Sequence, residues 1–164
     1  MLLIFKLSLK SIKNKPKVCL TPSEINTTKH APNNVMIAGH VHIGDWAILG
    51  GLSAVHQWTR IGSHSFLGGF SALTKDLIPY GLAVGNRASL EGLNLTGLRR
   101  RNFNNEDIKK VKKAYSILFD SEESEFKKRI EILKSEKINS SVVDELINFI
   151  TQKRNRSYCL PEGS

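Results

Sequence analysis

An aliphatic residue recurs at every sixth position through the middle of the chain. The series has seven members without a gap: Ile37, Ile43, Leu49, Val55, Ile61, Leu67 and Leu73. A small or β-branched residue stands two positions before each, and the following residue is small or glycine in six of the seven cases. A period of six fits neither a helical turn nor the two-residue alternation of an ordinary strand. It is the hexapeptide repeat of a parallel β-helix.

Three hexads make the three short strands of one triangular coil. Residues 34–79, with seven hexads, therefore predict a left-handed parallel β-helix of about two coils whose aliphatic residues stack inside a narrow prism. The glycines that follow the aliphatic residues allow a tight corner where a Cβ atom would clash. An apolar hairpin protein is the competing interpretation, and seven consecutive matches at three related positions disfavour it.

The pattern changes after Pro79. Residues 80–103 predict a glycine-rich connection with a strand-like stretch at 82–85, and residues 104–154 predict an α-helical C-terminal domain followed by a tail at 155–164. Either Asn104 or Asn105 is expected to cap the first helix, and a capping-box spacing, Ser141 to Asp144, is expected to open the last. The apolar positions are Ile108, Val111, Tyr115 and Leu118, then Phe126, Ile130 and Leu133, then Val143, Leu146, Ile147 and Ile150.

The net charge of +9 is unevenly distributed. Residues 1–34 carry six basic and one acidic side chain, residues 35–98 carry three of each, and residues 99–164 carry fifteen and eleven. The predicted β-helix therefore has no cationic surface, and the basic surplus of the last third is expected on solvated helix faces. This distribution argues against nucleic-acid binding.

The two cysteines, Cys19 and Cys159, are far apart and form no metal-binding or disulfide pattern. They favour a reducing compartment, the cytoplasm. No run approaches the roughly 18 to 20 apolar residues that a membrane span needs. The apolar start is interrupted by Lys6 and lacks a cleavage site, so no signal sequence is predicted.

Four short motifs carry a family resemblance. They are AGHV at 38–41, GGLSAVHQ at 50–57, GNRA at 85–88 and GLNLTGLRRR at 92–101. Together with the repeat they resemble the acyl-[acyl-carrier-protein]–UDP-N-acetylglucosamine O-acyltransferases that begin lipid A biosynthesis, from about Asn34 to about Phe149. The resemblance implies a cytoplasmic homotrimer with active sites between neighbouring β-helices. There a 3-hydroxyacyl group passes from acyl carrier protein to the 3-hydroxyl of UDP-N-acetylglucosamine, with no metal or organic cofactor.

The resemblance also assigns roles to eight residues. The backbone N–H of Gly39 is expected to stabilise the oxyanion of the tetrahedral intermediate. Gly69 is expected to limit the depth of the acyl groove, and its lack of a side chain predicts a longer acyl group. The remaining six are expected to bind the sugar nucleotide: His40 and His56 lining the cleft, Gln57 and Asn94 as polar contacts, and Arg100 and Arg101 gripping the diphosphate.

Two departures from the family pattern accompany the resemblance. Thr96 stands where the family usually has a glutamate that contacts the nucleotide. The family's general base is a histidine about one coil before the Ala-Gly-His motif, and counting back from His40 leads to Thr21. Acyl transfer to a sugar hydroxyl needs a base, so the chain is expected to be inactive alone. The abrupt start of the pattern near Asn34 suggests the hypothesis that an N-terminal half is missing and that residues 1–33 are an unrelated, poorly ordered segment.

Two other functions remain open. His40, His42, His56 and His64 invite comparison with trimeric metal-dependent hexapeptide enzymes, in which imidazoles from adjacent coils and subunits bind zinc. Against it, they fall at three different positions of the hexad, and His42 and His64 are expected to face solvent. The second alternative is a non-catalytic module that co-assembles with another subunit, either a separate N-terminal half or intact enzyme.

Overall fold

The structure is a computed structural model, and it describes residues 34–119, 125–152 and 156–162. The predictions for residues 1–33, including the one at Thr21, lie outside these ranges. The elements of the described residues are, in chain order, β1 (Met36–Ile37), β2 (His42–Ile43), β3 (Ile48–Leu49), β4 (Ala54–Val55), β5 (Arg60–Ile61), β6 (Phe66–Leu67), β7 (Ala72–Leu73), β8 (Gly81–Val84), β9 (Ser89–Leu93), α1 (Leu95–Arg100), α2 (Asn105–Phe119), α3 (Phe126–Ser135) and α4 (Ser141–Thr151).

The first seven strands form three parallel sheets. Met36 lies opposite Ala54, and Ala54 lies opposite Ala72, so the chain returns to the same face after every three hexads. The strand orders are β1-β4-β7, β2-β5 and β3-β6-β8-β9. The prediction of parallel sheets followed by a helical region is confirmed.

The interior of the prism is filled by two residues from each hexad. The aliphatic residues from Ile43 to Leu73 are at most 4% exposed, and Ile37 at the lower end is half-buried. The small residues two positions before them, from Val41 to Ser71, are at most 2% exposed. Large and small side chains therefore alternate inside the narrow prism, which is the packing that the repeat predicts.

The corners of the prism lie at residues with left-handed backbone. Every sixth residue has φ between 55° and 68°: Asn34, His40, Trp46, Leu52, Trp58, His64 and Phe70. Residues three hexads apart share a corner, so the first corner holds Asn34, Leu52 and Phe70, the second holds His40 and Trp58, and the third holds Trp46 and His64, continued by Tyr80. Side-chain-bearing residues thus adopt the positive φ at the bends.

The glycines after the aliphatic residues have a different task from the bend itself. A Cβ atom on Gly50 would lie 2.2 Å from the backbone nitrogen of Gly69, and one on Gly62 would lie 2.2 Å from that of Pro79. Neither glycine has positive φ. A Cβ atom would clash as predicted, but with the backbone of the next coil; the prediction that these glycines allow the tight corner is wrong, because the bends lie at other residues.

Parallel pairing continues beyond the last hexad. Ile61 bridges Leu77, and Phe66 of β6 lies opposite Leu82 of β8. In both pairs the partners are two residues closer in sequence than the three hexads that separate partners in the earlier coils. The six-residue pattern disappears from the sequence because this coil is shorter than the ones before it. Strand β9 then pairs antiparallel with β8 and ends this sheet.

The helical region follows the predicted periodicity, with one correction at a cap. The Asn104 side chain caps α2 by accepting the Asp107 amide at 2.7 Å. The predicted Ser141–Asp144 capping box is wrong, because the Ser140 carbonyl accepts the Asp144 amide at 2.9 Å and the helix therefore starts one residue earlier. The Ser140 hydroxyl makes no cap bond and donates instead to Asp107 at 3.3 Å.

The C-terminal tail packs against the β-helix and holds the two regions together. The Asp76 amide donates to the Ser157 carbonyl at 3.1 Å, and the Cys159 amide donates to the Asp76 carbonyl at 2.8 Å. Burial raises the pKa of the Cys159 thiol to about 11.

The longest helix in the described ranges, α2, has 15 residues and carries several charges. None of the helices described is long and apolar enough to cross a membrane.

Candidate functional site

The second corner of the prism brings four of the predicted site residues together. Ala38 and His56 are three hexads apart and therefore lie in adjacent coils, which places Gly39, His40, His56 and Gln57 at one corner. His56 and Gln57 are exposed, and the Nδ1–H of His56 donates to the Gln57 carbonyl at 3.0 Å. The three-hexad period thus unites two motifs, AGHV and VHQ, that are separate in the sequence.

Among the described residues, the peptide of Gly39 is hydrogen-bonded through its carbonyl only. Its carbonyl oxygen accepts the Trp58 amide at 3.0 Å. Its own N–H has no acceptor within the part of the chain that the structure describes. A Cβ atom at this position would meet nothing within 4 Å, so the surrounding space is open. A ligand oxygen can therefore approach this N–H.

The third corner is an aromatic stack. The His64 ring lies 6.4 Å from that of Trp46 and 5.8 Å from that of Tyr80, and the edge of Phe103 contacts it at 4.9 Å. The prediction that His64 faces solvent is wrong, because Tyr80 and Phe103 cover it, whereas His42 is exposed as predicted. Burial, and secondarily Arg101, lower the pKa of His64, so its ring is neutral at physiological pH.

Asn94 joins α1 to this corner. Its side-chain oxygen accepts the Gly97 amide at 3.0 Å, and its Nδ2 donates to the His64 carbonyl at 2.9 Å. A Cβ atom on Gly97 would lie 2.3 Å from that Nδ2, which explains the glycine of the Asn-x-x-Gly motif. Asn94 is 7% exposed, and both ends of its amide bond the protein itself. This capping role was not predicted from the sequence, because the six residues of α1 show no helical period.

The two arginines that end α1 differ in their surroundings. The Nη2 of Arg101 donates to the Trp46 carbonyl at 3.0 Å, its Nη1 makes a long bond of 3.4 Å to the Gly97 carbonyl, and its guanidinium lies 5.2 Å from the Trp46 ring centroid. Burial lowers the pKa of Arg101. Arg100 is exposed and makes no hydrogen bond or ion pair with any described residue. Of the pair, Arg100 has its donors available for a ligand.

Gly69 lies at the first corner, away from the other predicted residues. It is exposed, and a Cβ atom there would lie 3.2 Å from the Gly51 carbonyl oxygen. The same corner exposes Leu52 (47%) and Phe70 (76%). The predicted site residues therefore occupy three different corners, and a single chain does not bring them into one cleft.

A groove that sequence analysis missed lies between the β-helix and α4. Its volume is about 440 Å³, and its lining includes Arg60 and Ser63 from the β-helix side, Glu145 and Asn148 from α4, and Gln152 just after α4. Glu145 accepts a hydrogen bond from the Tyr80 hydroxyl. None of the eight predicted site residues lines it. Arg60 occupies an outward position of β5, where an arginine is ordinarily solvent-exposed, so the sequence did not indicate a groove there.

Of the four histidines considered as zinc ligands, His40 and His56 share the second corner and the other two lie elsewhere. His40 is at the second corner, His64 is at the third, and His42 lies on the face between them. Among residues 34–119, 125–152 and 156–162, no group of three or more histidine, cysteine, aspartate or glutamate side chains could hold a metal ion.

Comparison with known proteins places this geometry in a family. A family model described as UDP N-acetylglucosamine O-acyltransferase, domain 2, matches residues 76–159, just over half of the chain. The chain belongs to this acyltransferase family. The matched region starts at the buried Asp76 and contains α1 with its arginines, the helices and the returning tail.

Curated relatives agree with this assignment. The chain is 54% identical over 87 residues to the acyl-[acyl-carrier-protein]–UDP-N-acetylglucosamine O-acyltransferase of Burkholderia thailandensis, and 53% identical over 87 residues to that of Burkholderia lata. In each case the match covers 53% of this chain and 33% of the relative. The chain's match therefore spans about a third of the length of these acyltransferases.

Solved acyltransferase structures share the fold. The UDP-N-acetylglucosamine O-acyltransferase of Moraxella catarrhalis superposes with a TM-score of 0.72 at 36% identity, covering 77% of this chain and 49% of that one. The enzyme of Francisella novicida gives 0.73 at 34% identity, covering 80% and 48%. The Arabidopsis enzyme gives 0.73 at 35%, covering 77% and 47%.

Proposed function

We propose that the chain carries the sugar-nucleotide-binding part of an acyltransferase that moves a 3-hydroxyacyl group from acyl carrier protein to the 3-hydroxyl of UDP-N-acetylglucosamine, the first step of lipid A biosynthesis. The observation that carries this proposal is the second corner, where the free N–H of Gly39 stands beside His40, His56 and Gln57. An N–H donor and exposed imidazole and amide groups suit a polyhydroxylated ligand next to a reacting carbonyl.

The proposed chemistry divides between an oxyanion donor and a base. The Gly39 N–H stabilises negative charge on the acyl carbonyl oxygen, an effect worth about 10²–10³ in rate for one such donor. Deprotonation of the sugar hydroxyl requires a base, and Thr21 occupies the position that the resemblance gives to it. The 164-residue chain alone is therefore proposed to bind the sugar nucleotide without turning it over. No metal or organic cofactor is part of the proposal.

We further propose a cytoplasmic homotrimer of left-handed β-helices, of about two coils by the hexad count. The separation of the predicted residues over three corners supports a site that neighbouring chains complete. The exposed apolar side chains of the β-helix support it as well, because Met36, Leu52 and Phe70 are 45%, 47% and 76% exposed. In this arrangement the second corner of one chain faces Arg100 of its neighbour.

The assembly is tested by substituting Phe70. Light scattering is expected to give the molar mass of a trimer of 18.3 kDa chains for the wild type and that of a single chain for Phe70→Glu. The reason is that the substitution would bury a charge in an apolar interface. The matched control is Ile132→Glu, at another exposed apolar side chain on α3, and it is expected to leave the mass unchanged. A wild-type monomer, or equal effects of the two variants, would contradict the proposed trimer.

Binding of the sugar nucleotide is tested at Arg100. Titration calorimetry of the purified chain with UDP-N-acetylglucosamine is expected to show binding, and Arg100→Ala is expected to weaken it about 10- to 100-fold, as for loss of a hydrogen bond to a charged group. Arg99→Ala is the matched control, because Arg99 is the exposed neighbour on α1, and less than a threefold effect is expected. No binding, or equal effects of the two variants, would contradict the proposal. Stoichiometric zinc in the purified protein would favour the metal-dependent alternative.

A further inference from the structure

Trp58 lies face to face on His40 at the second corner. The ring centroids are 3.8 Å apart, and the planes differ by 4°. The two residues are three hexads apart, and both have left-handed backbone, with φ of 66° and 60°. The Trp58 amide also donates to the Gly39 carbonyl. One residue therefore contacts both the imidazole and the peptide that the proposed function uses.

This stack is closer than its counterpart at the third corner. There the rings of Trp46 and His64 occupy corresponding positions one hexad further along, with centroids 6.4 Å apart and planes at 13°. His64 is also held by Tyr80 and Phe103, whereas the one ring contact of His40 within the described residues is Trp58. The orientation of the His40 ring therefore depends on the indole more than that of His64 does.

We propose that Trp58 is a positioning residue that fixes the ring plane of His40 for sugar-nucleotide binding. Stacking covers one face of the imidazole and leaves both ring nitrogens, which lie in the ring plane, free to bond a ligand. It restricts rotation of the ring, so that less rotamer entropy is lost when a ligand binds. This inference rests on the proposed function of the second corner.

A double-mutant cycle tests the coupling. Trp58→Leu is expected to weaken UDP-N-acetylglucosamine binding five- to tenfold, and Trp58→Phe, which keeps an aromatic face, to restore most of the affinity. In a His40→Ala background, Trp58→Leu is expected to have less than a twofold further effect. Ile132→Ser, an exposed apolar substitution on α3, is the control and is expected to leave affinity unchanged in both backgrounds. Equal losses from Trp58→Leu with and without His40 would overturn the proposal.

An NMR measurement separates this inference from the proposed function. Stacking on indole at 3.8 Å shifts the His40 ring protons upfield, and this shift is expected to vanish in Trp58→Leu and to persist in Trp58→Phe. The His56 ring signals serve as the internal reference. If wild-type protein binds no sugar nucleotide but the His40 shift behaves as expected, the proposed function fails while the positioning contact stands. His40 signals that are unchanged in a folded Trp58→Leu protein would overturn the positioning role.

Discussion

Replacing Asp76 by asparagine is expected to lower the free energy of unfolding by about 3–5 kcal/mol, because it leaves a buried arginine without its counter-charge. The Asp76 side chain is fully buried, and Arg60 is 3% exposed. One carboxylate oxygen accepts the Arg60 backbone amide at 2.9 Å, and the other accepts Arg60 Nε at 2.7 Å. Arg156 Nε lies 3.8 Å from the same carboxylate, so Asp76 also compensates the positive charge of Arg156.

The size of this effect follows from what the ion pair connects. Arg60 stands at an outward position of β5, yet α4 covers it: its Nη1 donates to Gln152 at 2.6 Å, and its guanidinium lies 4.2 Å from the centroid of the Phe149 ring. The Asp76 backbone pairs with the returning tail at Ser157 and Cys159. Loss of the carboxylate charge therefore loosens the β-helix, the last helix and the tail together.

Urea unfolding followed by circular dichroism measures this effect. The matched control is Glu136→Gln, which removes the charge of an exposed pair with Lys113 and is expected to cost less than about 1 kcal/mol. The double substitution of Arg60 by Met and Asp76 by Leu is expected to recover part of the loss, since both charges of the buried pair are then removed and only the partly exposed Arg156 loses a partner. Equal costs for Asp76→Asn and Glu136→Gln would show that the buried pair does not hold the two regions together.

The sequence predicts the β-helix well because each hexad repeats the same inward positions. The same period also places His56 one coil above Ala38, so the second corner could be derived from the spacing of two motifs. The last coil could not be predicted in this way. Leu77 pairs with Ile61 and Leu82 pairs with Phe66, two residues short of the three-hexad separation, so the hexad pattern does not extend to them. A single coil of different length produces no repeat in the sequence from which it could be predicted.

The third corner could not be predicted from local pattern. His64 occupies the same hexad position as exposed corner residues, and the distant Tyr80 and Phe103 partly cover its ring. Asn94 caps α1 and Arg101 follows its last residue to donate to the Trp46 carbonyl, and this six-residue helix is too short to show a periodic signal. The capping pattern Asn-x-x-Gly was the available clue. Residues assigned to ligands by resemblance can therefore have structural partners that only the fold reveals.

The close spacing of the coils predicts very different effects of substituting two adjacent glycines, Gly50 and Gly51. Gly50→Ala is expected to cost more than about 3 kcal/mol or to abolish soluble protein, because such overpacking has no side chain to displace. The added Cβ would lie 2.2 Å from the Gly69 nitrogen and 2.5 Å from the Gly68 carbonyl carbon. The Gly50 amide donates to Leu67 at 2.7 Å, so the coils cannot separate without breaking this bond.

Gly51→Ala is the matched control, because a Cβ atom there meets nothing within 4 Å and its φ is not positive. It is expected to change stability by less than about 1 kcal/mol. Gly68→Ala should fall between the two, since its nearest obstacle is the side-chain Cγ1 of Val84 at 2.8 Å, which can move, and Val84→Ala should relieve part of its cost. Soluble yield and urea midpoints rank the three variants. Equal stability of Gly50→Ala and Gly51→Ala would mean that the coils are farther apart than the three-hexad register requires, whereas the expected order would show that backbone contact between coils determines where the repeat needs glycine.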